Sequence, residues 1–416
     1  MQSSGCSTSL RWFWDGRHGA IARLAETRKP PRLSGAKERP LRILILCHEY
    51  PPIGGGAAAV VAALAKEYRR RENDVVVVTM GFGDLVSHES AEGIVLHRVP
   101  CSRRRKEMAS PLEGLYWAAR CLPLVRSLHE ERPFDAVHAH FIMPAGIVAD
   151  CFRRSCGVSF IVTPHGSDVP GYNRERLRAV HHLVRPWWRR ICRNAARVTS
   201  PSHSLLALIE RSAGECKGQV VPNGLETGRF PERPKEKRIL LCSRLVERKG
   251  FHVFLEAIQD LDLQGWEIDL VGDGPMRARL EQLADLCRIP VHMHGWIDND
   301  DPRLAALYAR ALVFVFPSEW ENFSIALLEA MDAECAVITT DIEGNREVVG
   351  DTGLLVTPGD RDSMRSALVR IVDSFDECRE LGRRAGRRVR ENFDWRLIGH
   401  TYLKLLTDPG GDEESA

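Results

Sequence analysis

The segment that decides the fold is residues 42–79, which read RILILCHEYPPIGGGAAAVVAALAKEYRRRENDVVVVT. An apolar run, RILILC, leads into a loop rich in proline and glycine and then into a stretch of helical pattern near residues 57–71. A second apolar run, VVVVT, follows at residues 75–79. Two short apolar runs separated by a helix are typical of parallel strands joined by a crossover. The segment therefore predicts a βαβ unit.

The alternation of apolar runs and helical stretches continues on both sides of residues 223–237. That stretch, NGLETGRFPERPKEK, carries glycine, proline and charge without an apolar period, which is typical of a linker. Further strands are predicted at residues 94–99, 134–138, 158–163, 197–200 and 219–222, and then at RILLCS (238–243), WEIDLV (266–271), IPVHMHGW (289–296), LVFVFP (312–317) and CAVITT (335–340). We therefore expect an α/β protein with two doubly wound, Rossmann-like halves that face a central cleft.

The length of the chain supports this division, because 416 residues exceed what one ordinary core accommodates. We expect a final helix that crosses back onto the first half. The predicted parts are a poorly ordered extension at residues 1–40, a first domain at 41–222, a linker at 223–237, a second domain at 238–392, the final helix at 393–408 and a tail at 409–416.

Composition excludes several classes of protein. With 44% hydrophobic and 27% charged residues and a net charge of +2, the chain resembles neither a disordered protein nor a general nucleic-acid binder. Its 12 cysteines are spread singly without a C-x-x-C pair, which favours neither a disulfide framework nor a zinc site and suits a reducing cytosol. No run approaches the roughly 18 to 20 apolar residues of a spanning helix, and the first forty residues lack the apolar core of a secretory signal.

The most informative chemistry lies in PSEWENFSIALLEAM, residues 317–331. Glu321 and Glu329 stand eight positions apart after a buried strand, and Ser324 is a candidate helix cap between them. At about 1.5 Å rise per residue, a fully helical spacing would place the carboxylates at most about 12 Å apart, enough to grip both ends of a nucleotide-sugar. The helix N-terminus would offer N–H groups to a phosphate. A capped helix with two solvated glutamates explains the spacing equally well.

A second candidate segment is CSRLVERKG, residues 242–250. Arg244 follows a predicted strand and Lys249 precedes a helix, so both cations can converge on one anion. Guanidinium binds phosphate bidentately, and ammonium supplies a compact charge. The alternative is a solvated basic turn.

The glycine-rich loop after the first strand allows two interpretations. Gly54, Gly55 and Gly56 lack side chains, so a phosphate could approach the backbone closely, but a tight turn would explain them too. A dinucleotide-binding dehydrogenase would require G-x-G-x-x-G and an acidic residue near the end of the second strand. That strand ends in VVVVT and Met80, which argues against a dehydrogenase.

Together these segments resemble the family-four retaining glycosyltransferases of the GT-B fold, also called glycosyl transferases group 1. Residues 317–331 are similar to the E-x7-E motif of that family, and the resemblance covers about residues 41–406. The other matching segments occur in the family's order: PPIGGGA (51–57), TPHGSD (163–168), VPNGLETGRF (221–230), CSRLVERKG (242–250), VGDGP (271–275) and HGWID (294–298).

The resemblance implies a role for each candidate residue. Glu329 would hold the donor ribose from an open cleft, Glu321 would face the transferred sugar and the leaving group, and His165 would contact the sugar near its anomeric carbon. Asp168 would orient the sugar or the acceptor. Neutralisation of the departing pyrophosphate falls to Arg244 and Lys249, and the remaining donor-binding residues would be Gly54, Gly55, Gly56, Asn322, Phe323 and Ser324. A lone histidine such as His165 can also be purely structural.

The function expected from this resemblance is retaining transfer of a sugar from a nucleoside diphosphate sugar to a glycan or lipid-linked acceptor. No cofactor and no catalytic metal are expected, because the D-x-D pattern in IDNDDPR, residues 297–303, precedes a helical run and is better explained as a loop and cap. A nucleotide-sugar epimerase of the same fold and a non-catalytic sugar-nucleotide binding protein remain alternatives. The sequence departs from the family pattern at Asn322, Ser324 and Asp332, so the donor is left open.

The first domain, which binds the acceptor in this family, carries two basic segments. They are SRRRK, residues 102–106, and the tryptophan-bearing RPWWRR, residues 185–190. Basic residues interleaved with tryptophan suit an anionic membrane interface, although a solvated helix face would explain them as well. We therefore hypothesise peripheral contact with the inner face of the membrane, from the cytoplasm.

Overall fold

A computed structural model gives the fold of most of the chain. It describes residues 39–106, 108–172 and 178–408, with the backbone alone at 178–182. The expected tail and nearly all of the expected N-terminal extension lie outside the described residues. Within Pro40–Ala416, which forms one compact unit, two separate sheets are flanked by helices. This architecture confirms the predicted fold class.

The first sheet has eight strands in the order β3-β4-β2-β1-β5-β6-β7-β8. They are β1 Arg42–Leu46, β2 Asp74–Met80, β3 His88–Ala91, β4 Ile94–Val99, β5 Ala136–His140, β6 Phe160–Thr163, β7 Arg197–Ser200 and β8 Gly218–Val220. All neighbours pair in parallel except β3 and β4. The sequence analysis missed β3, because HESA has no apolar run. A two-residue turn at Glu92 and Gly93, both with positive φ, joins β3 to β4 as a hairpin.

Helices cover both faces of the first sheet, and the alternation of side chains along the strands decides which residues they bury. Ile43 and Ile45 pack with α1 on one face, whereas Leu44 and Leu46 pack with the later helices on the other. Burying an aliphatic side chain of this size contributes roughly 1.5–3 kcal/mol. The helices are α1 Gly56–Arg70, α2 Pro111–Glu131, α3 Ala145–Cys156, α4 Arg178–Asn194 and α5 His203–Ala213.

The second sheet is parallel throughout, in the order β11-β10-β9-β12-β13-β14. Its strands are β9 Glu236–Cys242, β10 Glu267–Val271, β11 Val291–Gly295, β12 Ala311–Phe316, β13 Ala336–Thr340 and β14 Gly353–Val356. Its helices are α6 Phe251–Ile258, α7 Arg277–Ala284, α8 Pro302–Arg310, α9 Ile325–Asp332, α10 Glu343–Val349, α11 Arg361–Val372 and α12 Phe375–Asn392. β9 begins two residues before the expected start of the second domain. The exact domain bounds remain a prediction.

The last helix, α13 Trp395–Thr407, packs on the first sheet, as expected. Asp394 begins it by accepting a hydrogen bond from the amide of Arg396 at 2.8 Å. Its Ile398 and Tyr402 join the apolar cluster of α1 and β1. Trp395 lies against Gly224 so closely that a Cβ there would be 2.6 Å from the indole.

Several other expectations concern what the described part of the chain contains. None of its helices combines the length and the apolar character needed to cross a bilayer. Its 11 cysteines are all free thiols. Asp301, in the D-x-D segment, accepts a hydrogen bond from the amide of Arg303 at 2.8 Å and caps α8, which agrees with the loop-and-cap interpretation.

Candidate active site

Lys249 and Glu321 form an ion pair at the carboxyl edge of the second sheet. The Lys249 ammonium donates to Oε1 of Glu321, which also accepts a hydrogen bond from the Ser318 hydroxyl at 2.8 Å. Lys249 ends a short 3-10 helix, and Gly250 follows with a φ of 70°, so close to Pro317 that a Cβ would be 2.1 Å from its carbonyl oxygen. This close approach brings the lysine to the loop that carries Glu321.

Burial governs the electrostatics of this pair. Desolvation lowers the pKa of Lys249, and the charge of Glu321 opposes that shift. The positive charges of Arg248 and Arg244 lower the pKa of Lys249 further, so Arg244 stands within electrostatic range of it. The Arg244 side chain is exposed and has no hydrogen bond or ion pair among the described residues. Its guanidinium is therefore available to a ligand anion.

Glu329 lies on α9 but is buried, and the expectation of a carboxylate in an open cleft was wrong. Arg229 donates to its Oε1, and the Tyr308 hydroxyl donates to its Oε2 at 3.1 Å. Burial raises the pKa of Glu329, whereas Arg229 and Tyr308 oppose the shift. The carboxylate is thus held from two sides without a ligand.

The residues between the two glutamates have separate tasks. Oδ1 of Asn322 accepts a hydrogen bond from the Ser202 hydroxyl, and Phe323 packs edge-on against Phe393 at 5.5 Å between ring centroids. Ser324 occupies the N-cap position of α9, but its side chain makes no capping hydrogen bond, contrary to what its residue type suggests. The contacts of Asn322 and Phe323 therefore hold the loop that leads into α9.

The three glycines after β1 are not equivalent. Gly54 has a φ of 97°, and a Cβ there would lie 2.7 Å from Glu49. At Gly55 and Gly56 a Cβ would meet no atom within 4 Å. The Gly55 amide donates to the half-buried Glu49 carboxylate, and desolvation raises the pKa of that carboxylate. A protein carboxylate therefore occupies part of the position at the start of α1 where a phosphate was expected.

His165 and Asp168 lie in the loop after β6. Asp168 accepts hydrogen bonds from the amides of Ile142 at 2.6 Å and His165 at 3.1 Å, so its carboxylate fastens two loops together. Burial raises the pKa of Asp168 to about 6 and lowers the pKa of His165 to about 4. At neutral pH the His165 ring is therefore uncharged. Nε2 of this ring lies 3.1 Å from Nδ1 of His140.

Contacts across the cleft bring loops of the two sheets together near these residues. The amides of His203 and Ser204 donate to the Glu347 carboxylate at 2.9–3.3 Å, at the N-terminus of α5. The rings of Tyr172 and Trp320 meet edge-on with centroids 5.8 Å apart. Trp320 adjoins Glu321, so the loop that carries Glu321 contacts the first sheet's loops directly.

The two basic segments of the first domain are divided between interior and surface. Arg103 is buried and donates to the carbonyls of His48 and Lys106, both at 3.0 Å. Trp188 is also buried, and its indole N–H donates to the carbonyl of Asp168 at 3.0 Å. These two residues are structural, so the membrane hypothesis is wrong for them. Trp187 is 57% exposed.

Comparison with known families decides the classification. A model described as Glycosyl transferases group 1 matches residues 236–374, and one described as Glycosyltransferase Family 4 matches residues 54–229. The chain belongs to the group 1 glycosyltransferases. The two matched ranges contain the second sheet, every strand of the first sheet except β1, and nearly all of the candidate site described above.

Curated relatives of this glycosyltransferase are also named as glycosyltransferases, but their names differ in the sugar or the product. The MMP alpha-(1->4)-mannosyltransferase of Mycolicibacterium hassiacum is 29% identical over 64% of this chain and 68% of its own length. The D-rhamnosyltransferase WbpZ of Pseudomonas aeruginosa is 28% identical over 62% of this chain and 70% of its own. TuaC of Bacillus subtilis, named for teichuronic acid biosynthesis, is 30% identical over 57% of this chain, which spans 61% of TuaC.

Solved structures share the fold of this glycosyltransferase at lower sequence identity. The sucrose-phosphate synthase of Thermosynechococcus elongatus superimposes with a TM-score of 0.73 at 22% identity, covering 88% of this chain and 98% of that one. Anabaena HepE in complex with UDP gives a TM-score of 0.71 at 19% identity, covering 88% and 100%. Both support the GT-B architecture.

Sequence reasoning missed several residues of the glycosyltransferase site. Arg229 stands inside the quoted segment VPNGLETGRF, but no residue type or spacing tied it to Glu329, 100 positions later. Tyr308 was hidden in a helical run. His140 ends a strand at the same sheet edge as His165, and the H-x-H pattern of residues 138–140 was the signal that could have identified it.

Proposed function

We propose that the protein transfers a glycosyl residue from a nucleoside diphosphate sugar to a hydroxyl group of an acceptor, with retention at the anomeric carbon. The observation that carries the proposal is the ion pair of the buried Lys249 with the half-buried Glu321, which stands directly ahead of α9. The pair lies within electrostatic range of the exposed Arg244. Two cations beside a helix N-terminus suit a diphosphate. A neighbouring carboxylate suits the hydroxyl groups of a sugar.

In the proposed reaction the bond between the anomeric carbon and the diphosphate oxygen breaks, and a bond to the acceptor oxygen forms. The acceptor proton leaves with the diphosphate. Negative charge grows on the departing oxygen, and Lys249 and Arg244 stabilise it. Because Glu321 already holds the Lys249 ammonium in place, little reorganisation is needed as the charge develops.

Glu329 is proposed to accept the ribose hydroxyl groups of the donor. Its carboxylate already accepts bonds from Arg229 and Tyr308, but two carboxylate oxygens offer about four lone-pair sites. Ribose hydroxyls can therefore add to the existing partners without displacing them. His165 is proposed to contact the transferred sugar as an uncharged ring, and contact of Asp168 with ligand stays a secondary proposal.

Two alternative functions make different predictions about products. A nucleotide-sugar epimerase would return a changed sugar still free of acceptor, and a non-catalytic binding protein would release no nucleoside diphosphate. The relatives compared above are named as transferases, which does not favour the epimerase. The Lys249–Glu321 pair with Arg244 beside it argues against a silent binding protein.

The first experiment is a donor panel with nucleoside diphosphate release as the readout. UDP sugars come first, because HepE was solved with UDP and with UDP-glucose. Product analysis should find the sugar joined to an acceptor with its anomeric configuration kept. EDTA should leave turnover unchanged, since metal-independence remains our prediction. An epimerised free sugar, or no release from any bound donor, would contradict the proposal.

The acceptor is proposed to lie at the inner face of a membrane, reached from the cytoplasm. α2 and α4 follow the carboxyl ends of the parallel strands β4 and β6, so both helices begin at one edge of the sheet. Leu112, for example, is 79% exposed. We define the basic–apolar surface as the exposed Arg104, Arg105, Lys106, Leu112, Leu115, Tyr116 and Trp187. Cations beside exposed apolar groups suit anionic lipid headgroups.

Vesicle binding tests this surface. Replacing Arg104, Arg105 and Lys106 with serine should weaken binding to phosphatidylserine vesicles on the order of a hundredfold. Each basic residue near the surface contributes about 1 kcal/mol to such binding. The matched control replaces three exposed arginines of α12, namely Arg379, Arg383 and Arg387, and should bind like the wild type. Added salt should weaken wild-type binding. Equal binding by both triple variants, or none at low salt, would refute membrane contact through this surface.

A further inference from the structure

His140 and His165 share a hydrogen bond between ring nitrogens. Nδ1 of His140 lies 3.1 Å from Nε2 of His165, and the rings are nearly parallel, with centroids 5.3 Å apart and planes inclined by 19°. A bond between two imidazoles has one proton, so one ring must donate and the other accept. The direction of this bond decides which nitrogen of His165 carries its proton.

Both rings are held without charge. Burial lowers the pKa of His165 to about 4 and brings the pKa of His140 well below its ordinary value. His138 packs on His140 with ring centroids 4.0 Å apart, and it is itself fixed by the Tyr68 hydroxyl at 2.9 Å and the Thr163 hydroxyl at 2.8 Å. His140 therefore has little freedom to turn.

The other nitrogen of His140 distinguishes the two directions. Nε2 of His140 is buried and has no partner among the described residues. If His165 donated, this nitrogen would carry a buried N–H without an acceptor, whereas if His140 donates, it keeps only a lone pair. In protein interiors an orphaned N–H is rarer than an acceptor without a donor. The second arrangement costs less free energy.

We propose that His140 is a positioning residue that donates its Nδ1–H to Nε2 of His165 and so fixes His165 in the Nδ1-protonated tautomer. Among the described residues, Nδ1 of His165 has no partner, so it is the nitrogen that remains for a ligand. There it presents an N–H donor to an oxygen of the transferred sugar. This last step rests on the proposed function, but the tautomer does not.

Nitrogen-15 spectra of the histidine rings test the tautomer without any substrate. The His165 signals, assigned by their loss in His165→Gln, should show a protonated Nδ1 and an unprotonated Nε2 in the full-length wild-type protein. In His140→Leu the His165 ring should shift toward the Nε2-protonated form that free imidazole side chains prefer. A wild-type ring protonated on Nε2, or a ring unchanged in His140→Leu, would overturn the proposal.

Kinetics separate positioning from folding. His140→Leu should lower kcat about tenfold, which corresponds to the loss of one ordinary hydrogen bond. The Kd for the nucleotide should not change. His140→Asn carries an amide N–H the same number of bonds from the backbone as Nδ1, and it should keep the wild-type tautomer and recover most of kcat. If His140→Leu does not fold, His140→Asn decides, and an Nε2-protonated His165 there refutes the proposal. Exposed His88→Gln is the control and should turn over normally.

Failure of the proposed function would look different. If the wild-type protein transferred no sugar from any donor, the ring spectra would still report the His165 tautomer. Normal transfer together with an Nε2-protonated His165 would instead reject the role of His140 and leave the proposed function standing.

Discussion

The two sides of the candidate site handle polar groups in opposite ways. On the second sheet, Lys249 and Glu329 are buried with opposite charges beside them. On the first sheet, His48 and His138 are buried and His165 is half-buried, and burial lowers the pKa of the three rings to about 3, 3 and 4. The Glu49 carboxylate lies 3.8 Å from Nε2 of His48 but does not offset that shift. The residues on the second sheet stay charged because they are paired, whereas the histidines on the first sheet are uncharged at neutral pH.

This difference teaches how one site can serve a ligand with two unlike ends. A diphosphate is bound by charge, and paired cations that are partly desolvated act on it strongly. A sugar offers hydroxyl groups, which uncharged imidazoles can donate to or accept from. The contrast predicts that substitutions on the two sides respond to different variables.

The largest expected effect is on the pH dependence of stability and concerns His48. The unfolded chain binds a proton at this residue near pH 6.5, but the folded protein does so only near pH 3. Stability from this group is therefore present above pH 6.5 and is lost as pH falls toward 3. His48→Phe should remove that loss. At pH 4.5 its free energy of unfolding should be about 3 kcal/mol higher than that of the wild type.

Urea unfolding from pH 7.5 to 4.5 measures this effect. The His48→Phe variant should unfold like the wild type at pH 7.5, because Nδ1 of His48 has no partner among the described residues. The two curves should diverge below pH 6.5. Parallel curves would show that His48 takes up its proton in the folded protein at an ordinary pH.

Charge on the second sheet should affect turnover instead. Lys249→Met keeps the apolar stem of the side chain but removes the ammonium, whose Nζ lies 4.8 Å from the centroid of the Phe316 ring. We expect kcat to fall about a hundredfold, as when one preorganised electrostatic contact to the transition state is lost. The double variant Lys249→Met with Glu321→Gln removes the uncompensated carboxylate. Recovery of turnover in that double variant would contradict a direct role for the lysine.

Glu329→Ala should lower the free energy of unfolding even without ligand. It leaves Arg229 and the buried Tyr308 hydroxyl without an acceptor, at a cost of about 2 kcal/mol. Thermal unfolding with and without UDP separates this from ribose binding, since a bound ligand raises the melting temperature. A variant that melts lower but shifts normally with UDP would make Glu329 purely structural.

The smallest effects compare neighbouring glycines. Gly54→Ala must accept a φ of 97° and contact Glu49, and it should cost about 1 kcal/mol. Gly55→Ala points into open space and should leave the melting temperature unchanged. If donor phosphate approaches this backbone, Gly55→Ala should nevertheless raise KM. Equal melting temperatures for both variants would contradict the backbone argument.

Local patterns predicted the fold well because they are short-range. The apolar runs located every strand except β3 and β14. The HESA sequence of β3 is stabilised by its hairpin turn and not by a core. The start of α9 after Ser324 also agreed with the sequence. Glu329 lies on α9 as expected, but its burial was not predicted, because it depends on Arg229 and Tyr308 from distant parts of the chain.

Motifs located candidate residues but not their surroundings. His165 was identified from TPHGSD, whereas its partner His140 comes from another strand, and only the parallel pairing of β5 with β6 brings the two together. Likewise, SRRRK gave no sign that Arg103 alone would be drawn inside by backbone carbonyls. Such contacts are set by topology, which residue spacing does not encode.

The return of α13 to the first sheet has a consequence for the order of events during synthesis. A ribosome completes β1 and α1 early, but Ile398 and Tyr402, which cover the same apolar cluster, emerge only after the whole second sheet. Until then the apolar face of the first sheet that α13 covers stays exposed to solvent. The apolar core of the first domain is therefore completed only after the second domain has been synthesised. The domain that is made first is the last to be completed.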